Sequence, residues 1–223
     1  MRTREEIFFK FPELSEATKE KLLYFAELLK ETNAKVNLIS RKDEDDIAYR
    51  HVVFCLSISK FFTPDNGAKI VDVGTGGGLP GIVMAIAWPQ AQVWMLDGVG
   101  KKIDAISSII EKLDLKNAIA KKGRVEEIKE TFDYAVGRSV CALPMFFNFV
   151  KKSLRPGKRG TLANGVIYFK GGELEEELAK RGILPDKQLK LDEFFEDESY
   201  VGKRLLHFTY PKNKTRADKF VRR

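Results

Sequence analysis

The segment that constrains this chain most is Asp72-Val-Gly-Thr-Gly-Gly-Gly-Leu-Pro-Gly81. It joins a short β-rich run, residues 70–73, to an apolar run at 79–87 that Trp88-Pro89 brings to an end. Glycines placed there permit a turn with positive φ and let a ligand approach the backbone. In an open α/β sheet such a turn lies at the carboxyl end of the strands, where small molecules bind.

Three loop chemistries compete for this segment. A triphosphate-binding loop ends in Gly-Lys-Ser/Thr, which is missing here. A dinucleotide loop carries a third glycine where Leu79 stands. A methyltransferase loop has an acid two residues before the first of several alternating glycines, and Asp72, Gly74, Gly76 and Gly78 match it. The acid suits S-adenosylmethionine, whose methionine end brings an ammonium to neutralise and no pyrophosphate to repel. Asp97 closes the next strand-like run, Gln92-Val-Trp-Met-Leu-Asp97, 19 residues after Gly78. A carboxylate at that place can accept hydrogen bonds from both ribose hydroxyls.

The rest of the chain is organised around this unit. Strand patterns fall at 70–73, 92–97, 118–121, 134–136, 166–169 and 205–210, with helical patterns at 79–87, 101–113, 143–154 and 174–180. Such alternation predicts a mainly parallel sheet with helices on both faces. Upstream, Leu22, Phe25, Ala26 and Leu29 form one stripe of a helix over 14–31, with Ser15 as its N-cap. A second apolar segment spans 47–62, and Pro64, Asn66 and Gly67 then punctuate the chain. The expected division is a helical N-terminal cap at 1–66, a core at 67–211 and a basic tail at 212–223.

No run approaches the roughly 20 apolar residues of a membrane span, and the acids and proline in the first 14 residues do not suit a signal peptide. Cys55 and Cys141 lack metal-ligand spacing and read as buried thiols of a reducing compartment. A cytoplasmic protein follows, with no metal and no membrane partner, and nothing points to more than a monomer. With 39 Lys and Arg against 32 Asp and Glu, the chain carries a formal charge of +7, which favours an anionic partner. From Lys203 onward the basic residues include Arg222 and Arg223, a candidate phosphate-tracking arm.

The fourth strand leads into Asp133-Tyr-Ala-Val-Gly-Arg138-Ser139 rather than the Asn/Asp-Pro-Pro-aromatic segment of exocyclic-amine methyltransferases. Carbon-directed base methylation needs a thiolate. Val140, not proline, precedes Cys141, so that cysteine reads as structural. Arg138 at the end of this strand fits an acceptor such as guanine N7, which needs positioning more than a general base. The competing reading pairs Arg138 with a surface acid. Lys101 and Lys102 open a helix, where cations oppose the dipole, and hint at an external anion. Trp88, Trp94 and the Phe146-Phe147-Phe149 cluster read as packing residues.

The chain resembles the RsmG (GidB) family, bacterial small-subunit rRNA guanine-N7 methyltransferases, over about residues 22–223. The resemblance rests on Asn37-Leu38, Arg50-His51, the glycine loop, Leu96-Asp97, Lys101-Lys102, Arg124-Val-Glu-Glu127, Asp133 with Arg138, and Lys170-Gly171. It implies a class I (Rossmann-like) methyltransferase fold, with a seven-stranded mainly parallel sheet and a helical N-terminal cap. The implied cofactor is S-adenosylmethionine and the implied partner small-subunit (16S) rRNA or the small ribosomal subunit. Gly74, Gly76 and Leu79 would line the cofactor, Asp97 would hold its ribose, and Val125 and Glu126 would bracket its adenine. Arg138 would complete the cofactor and acceptor pocket, and Asn37 and His51 would lie near the RNA entrance. Departures from the family pattern are Phe54-Cys55 where Asp-Ser is usual, Gly98 for Ser, Ser139-Val140 after Arg138, and Val221 for Pro in the tail. Two rivals are a methyltransferase acting on a protein or small molecule, and a non-catalytic RNA- or ribosome-binding module.

Overall fold

The computed structural model describes residues 2–40, 46–172 and 184–210. Its centre is a seven-stranded sheet: β1 (Lys69–Val73), β2 (Gln92–Asp97), β3 (Ala118–Lys122), β4 (Tyr134–Arg138), β5 (Gly165–Lys170), β6 (Lys187–Lys190) and β7 (Arg204–Thr209). The order is β3-β2-β1-β4-β5-β7-β6. The first five are parallel, and β7 runs antiparallel to both β5 and β6. Strand order reverses between β1 and β4, which pair Val71 with Ala135. That reversal opens a crevice at the carboxyl ends of both strands.

Alternate residues along the strands feed two separate cores, as a pleat demands. Ile70, Val93, Met95, Tyr134, Val136 and Ile167 face one cluster. Val71, Val73, Leu96, Ala135, Val166 and Tyr168 face the other. The first face is covered by α2 (Glu16–Asn33), α3 (Phe54–Leu56), α4 (Gly81–Ala87) and α5 (Gly100–Lys112), following the short α1 (Arg4–Phe8). The second is covered by α6 (Leu143–Val150), through Leu143, Phe146 and Val150. Phe8, Phe11, Leu22, Phe25 and Leu29 share the first cluster with the sheet, so the N-terminal helices are continuous with the main core.

The expected stripe of α2 is buried, and the Ser15 hydroxyl accepts from the Thr18 N–H at 3.2 Å. The segment read as one apolar run is wound three ways: a π-helical stretch at Ala48–Val53, then α3, then a 3-10 turn at Ser57–Lys60. A π-helical stretch shifts side chains off the regular α-helical face and often marks a functional site. Most strand and helix ends fall within two residues of the sequence reading, and the departures that matter have local causes. α4 starts two residues late, because Gly78 and Leu79 bond back to the Thr75 carbonyl. α6 stops at Val150, and β6 lacks the apolar alternation that would have announced it. Its Lys-Gln-Leu-Lys sequence is that of a short charged edge strand. The helix expected at 174–180 and the tail at 212–223 lie outside the described residues.

Candidate active site

The glycine loop is held open by its own backbone. Gly74, Gly76 and Gly78 take φ values of +70°, +56° and +78°. At Gly78 a Cβ would lie 2.5 Å from Ile82 Cδ1, so any side chain there collides with the first turn of α4. The N–H groups of Gly74 and Thr75 both donate to the Leu96 carbonyl at 2.8 and 2.9 Å, tying the loop to β2. The N-terminal region presses on it from outside. A Cβ on Gly77 would meet Leu29 Cδ1 and Leu38 Cβ at 3.2 and 3.3 Å. Leu38 is brought there by Asn33, whose side-chain oxygen accepts from the N–H groups of Leu38 and Ile39 at 2.7 and 2.9 Å.

Asp72, expected to face the cofactor's ammonium, is 1% exposed and organises the loop instead. Its Oδ2 accepts from the Thr75 hydroxyl at 2.6 Å and from the Gly81 N–H at 2.8 Å. Its Oδ1 is buried and has no hydrogen-bond partner. Burial pushes the Asp72 carboxyl up to about 6, against the pull of Thr75, Gly81 and the positive Arg138. Only that one buried oxygen remains to meet a cation.

A cleft of about 290 Å³ opens beside the loop, near the lower end of the roughly 300–1,000 Å³ range for small-molecule sites. Gly74, Asp97, Val125 and Glu126, four of the residues named from the sequence, line it together with Val140 and Phe149. Asp97 is oriented by two backbone donors: Gly76 N–H to Oδ2 at 3.1 Å and Val99 N–H to Oδ1 at 2.9 Å. Each carboxylate oxygen keeps a further lone pair, enough for two hydroxyls. Val125 is buried, with its carbonyl accepting from the Ser153 hydroxyl at 3.1 Å, whereas Glu126 is exposed. Gly76 contributes through its bond to Asp97. Leu79 is buried behind the loop and does not line this cleft. Acceptors for hydroxyls and an apolar wall suit an adenosyl ligand.

Arg138 is not in that cleft. It lines a second one, of about 400 Å³, with Arg50, His51, Lys170 and Lys203. Phe54 and Phe169 supply its apolar wall, and among the described residues no carboxylate lines it. The expected alternative, an ion pair with a surface acid, is not what holds Arg138. Its Nη2 meets His51 Nδ1 at 2.8 Å, its Nη1 donates to Cys55 Sγ at 3.0 Å, and its Cζ lies 5.4 Å from the Phe54 ring centre. A guanidinium has donors only, so His51 Nδ1 accepts, which puts the ring proton on Nε2 and leaves the imidazole uncharged. Burial pushes the Cys55 thiol up to about 11, so it too is neutral.

The two clefts share a wall. Ser139 lines the basic one and its neighbour Val140 lines the other, with Ser139 at φ +55° where the chain turns after β4. A left-handed non-glycine residue at that junction is a strained position of the kind found at functional sites.

Other sequence-named residues lie elsewhere. Asn37 is exposed beyond α2, and it is Asn33 that shapes this turn. Lys101 is exposed in the first turn of α5. Cys141 is only part-buried, not fully enclosed like Cys55. Asp133 sits at the far end of β4, where Arg155 grips both its oxygens at 2.7 and 2.8 Å. Burial raises its carboxyl, but Arg155 and the Lys69 N–H outweigh that and hold it below the usual range, as befits a structural ion pair. Arg222 and Arg223 lie outside the described residues. Among the described residues no cluster of three His, Cys, Asp or Glu could hold a metal, and no helix is long and apolar enough to cross a membrane. Sequence reasoning missed Phe54, Phe169 and Lys203 as lining residues, and no short motif joins them.

Comparison with known proteins agrees with this geometry. A family model described as GidB, rRNA small subunit methyltransferase G, matches residues 18–197. The chain is 37% identical over 203 residues to the ribosomal RNA small subunit methyltransferase G of Flavobacterium psychrophilum, covering 91% of this chain and 96% of that one. It is 45% identical over 168 residues to the protein of the same name from Chlorobium phaeobacteroides, covering 75% and 73%. Among solved structures, an RNA methyltransferase from Salinibacter ruber in complex with S-adenosyl-L-homocysteine matches with a TM-score of 0.51 at 12% identity, covering 74% of this chain and 93% of that one. At that identity the likeness speaks for the fold.

Proposed function

Because the chain belongs to the GidB family, rRNA small subunit methyltransferase G, we propose that it methylates N7 of one guanosine in 16S rRNA, with S-adenosylmethionine as the donor. The observation that carries this reading is the pair of clefts meeting at Ser139 and Val140, one edged by Asp97 and the other lined by cations.

When bound, S-adenosylmethionine supplies a methyl group already activated on a sulfonium. Asp97 is the residue to take the ribose hydroxyls, with Val125 and Glu126 flanking the adenine and Gly74 forming the floor. Gly76 acts by fixing Asp97, and Leu79 by packing behind the loop. Arg138 then serves the acceptor, placing the RNA from the far side of the shared wall. Guanine N7 offers a lone pair in the ring plane and carries no proton to remove, so such a site needs orientation and no general base. The basic cleft suits this: none of its described lining residues is a carboxylate, and the Nδ1 of its one histidine is taken by Arg138. The protein would act in the cytoplasm as a monomer, on free rRNA or the small subunit.

The test is incubation with methyl-labelled cofactor and small subunits from cells lacking the modification. The expected result is label in a single guanosine, at which reduction and aniline treatment cut the strand as they do at N7-methylguanosine. Label in protein, or in a guanosine that resists cleavage, overturns the assignment.

A further inference from the structure

The wall between the clefts belongs to a short turn, residues 139–142, that carries the chain from β4 into α6. Ser139 stands there at φ +55°, and Ala142, the N-cap of α6, has no side-chain group to accept a hydrogen bond. A tie comes from the neighbouring strand. Tyr168 on β5 reaches Cys141 with its hydroxyl, donating to the carbonyl at 2.6 Å and accepting from the N–H at 3.3 Å. One side-chain atom thus engages both main-chain groups of the residue next to Val140.

The sequence makes room for this reach. Tyr168 pairs in register with Gly137 on β4, and a Cβ on Gly137 would lie 2.7 Å from its ring. With no side chain in the way, the ring lies against the neighbouring strand, close to the turn that follows it. Phe146 of α6 closes on the ring at 4.9 Å and 66°, and the residue is buried. A buried tyrosine needs a partner for its hydroxyl, and a single acceptor anywhere would satisfy that. What sets Tyr168 apart is where its two bonds go. Val140, just before Cys141, rests on the glycine loop, since a Cβ on Gly74 would meet its two Cγ atoms at 3.1 and 3.2 Å. Ser139 faces the basic cleft and Val140 the Asp97 cleft, so the seat of Cys141 governs how the wall stands to both.

We propose that Tyr168 is a positioning residue for methyl transfer: its hydroxyl, acting through Cys141, holds the wall at Ser139 and Val140 so that donor methyl and acceptor nitrogen meet in line. The proposal rests on the reading of the two clefts as donor and acceptor sites. A displacement needs its reacting atoms aligned about 3–3.5 Å apart, and a shift of about 1 Å caused far from the chemistry can cost about 100-fold. Tyr168 lines neither cleft, so it acts on the rate through the wall and not by touching either ligand.

The experiment measures kcat and KM for methylation of small subunits lacking the modification, with calorimetric affinity for S-adenosylhomocysteine alongside. The proteins compared are the wild type, Tyr168→Phe, Val140→Ala and the double variant. Tyr168→Phe removes one oxygen and keeps the ring, so the fold is retained. It should lower kcat about tenfold or more, while KM for the subunit and cofactor affinity stay within about threefold, the pattern of an interaction that counts only in the transition state. Val140→Ala, which thins the wall itself, should also slow transfer. Because both residues act through one element, the double variant should be little slower than the slower single variant. Val140→Ala at the wild-type rate, or losses that multiply in the double variant, would overturn the proposal. So would a lowered melting temperature of Tyr168→Phe with unaltered kcat, or a slower rate matched by an equal loss of cofactor or subunit binding. A wild type that transfers no methyl to the subunit overturns the functional reading and this proposal together.

Discussion

The two clefts are neighbours in space and opposites in construction. The Asp97 cleft is made from the ends of adjacent parallel strands and the turns that follow them, and its polar lining is backbone with Asp97, Glu126 and a single cation, Arg124. The Arg138 cleft gathers side chains from the π-helical stretch, the end of β4, the end of β5 and the loop before β7, and its polar groups are cations. The first is preorganised by short hydrogen bonds to main chain. The second depends on side chains holding one another: His51, Cys55 and Phe54 around Arg138. On the proposed reading, a small cationic nucleoside and a large polyanion would lie on separate sides of a two-residue wall.

That separation can be broken most sharply at Arg138. Arg138→Ala should reduce kcat/KM for the subunit by 100-fold or more, about 3 kcal/mol, while calorimetric affinity for S-adenosylmethionine stays within about threefold. A comparable loss of cofactor affinity would merge the two clefts into one site. Asp97→Ala is the reciprocal change. Removing a charged acceptor should weaken cofactor binding by about 1.5–3 kcal/mol, with the salt slope of RNA binding left as in the wild type. Unchanged cofactor affinity would move the ribose elsewhere, and a changed slope would show that Asp97 also faces the RNA.

The same contrast explains what the sequence could disclose. The Asp97 cleft was legible because its residues come from one contiguous motif and from strand ends at regular spacing, so Gly74, Asp97, Val125 and Glu126 fall together as expected. The Arg138 cleft was legible only in part: Arg50, His51, Arg138 and Lys170 stood in quoted motifs, but Phe54, Phe169 and Lys203 join them only through tertiary packing of segments far apart in the chain. Lys203 read as the start of a charged tail, and Phe54-Cys55 as a departure from a family pattern without evident purpose. That departure falls on the seat of Arg138. Asn37 drew attention because it stands in a motif, yet the work of turning the chain is done by Asn33, the last residue of α2. β6 escaped because an exposed edge strand needs no apolar alternation.

The smallest expected effect concerns Asp72, whose carboxyl feels both Arg138 of one cleft and Asp97 of the other. Burial raises its carboxyl to about 6, from 3.8 in an exposed chain, so the folded protein holds a proton there that the unfolded chain has already released. A pKa raised on folding means stability that is fully present below pH 3.8 and is lost as pH rises through 6. Lowering the pH from 7 to 5 should therefore recover about 1 kcal/mol of that loss. His207 works against it in the same window: burial lowers its pKa, so acid disfavours the fold there. The two are separated by comparing the wild type with Asp72→Asn in urea, since the histidine contribution cancels in the difference. Between pH 7 and 5 the wild type should gain about 1 kcal/mol on the variant. Adding saturating S-adenosylmethionine should shrink that gain, because a cation close to the unpartnered Oδ1 favours the ionised carboxylate without the acid form's proton. A gain that is the same with and without the cofactor would place the ligand's charge away from Asp72 and leave the residue a loop organiser alone.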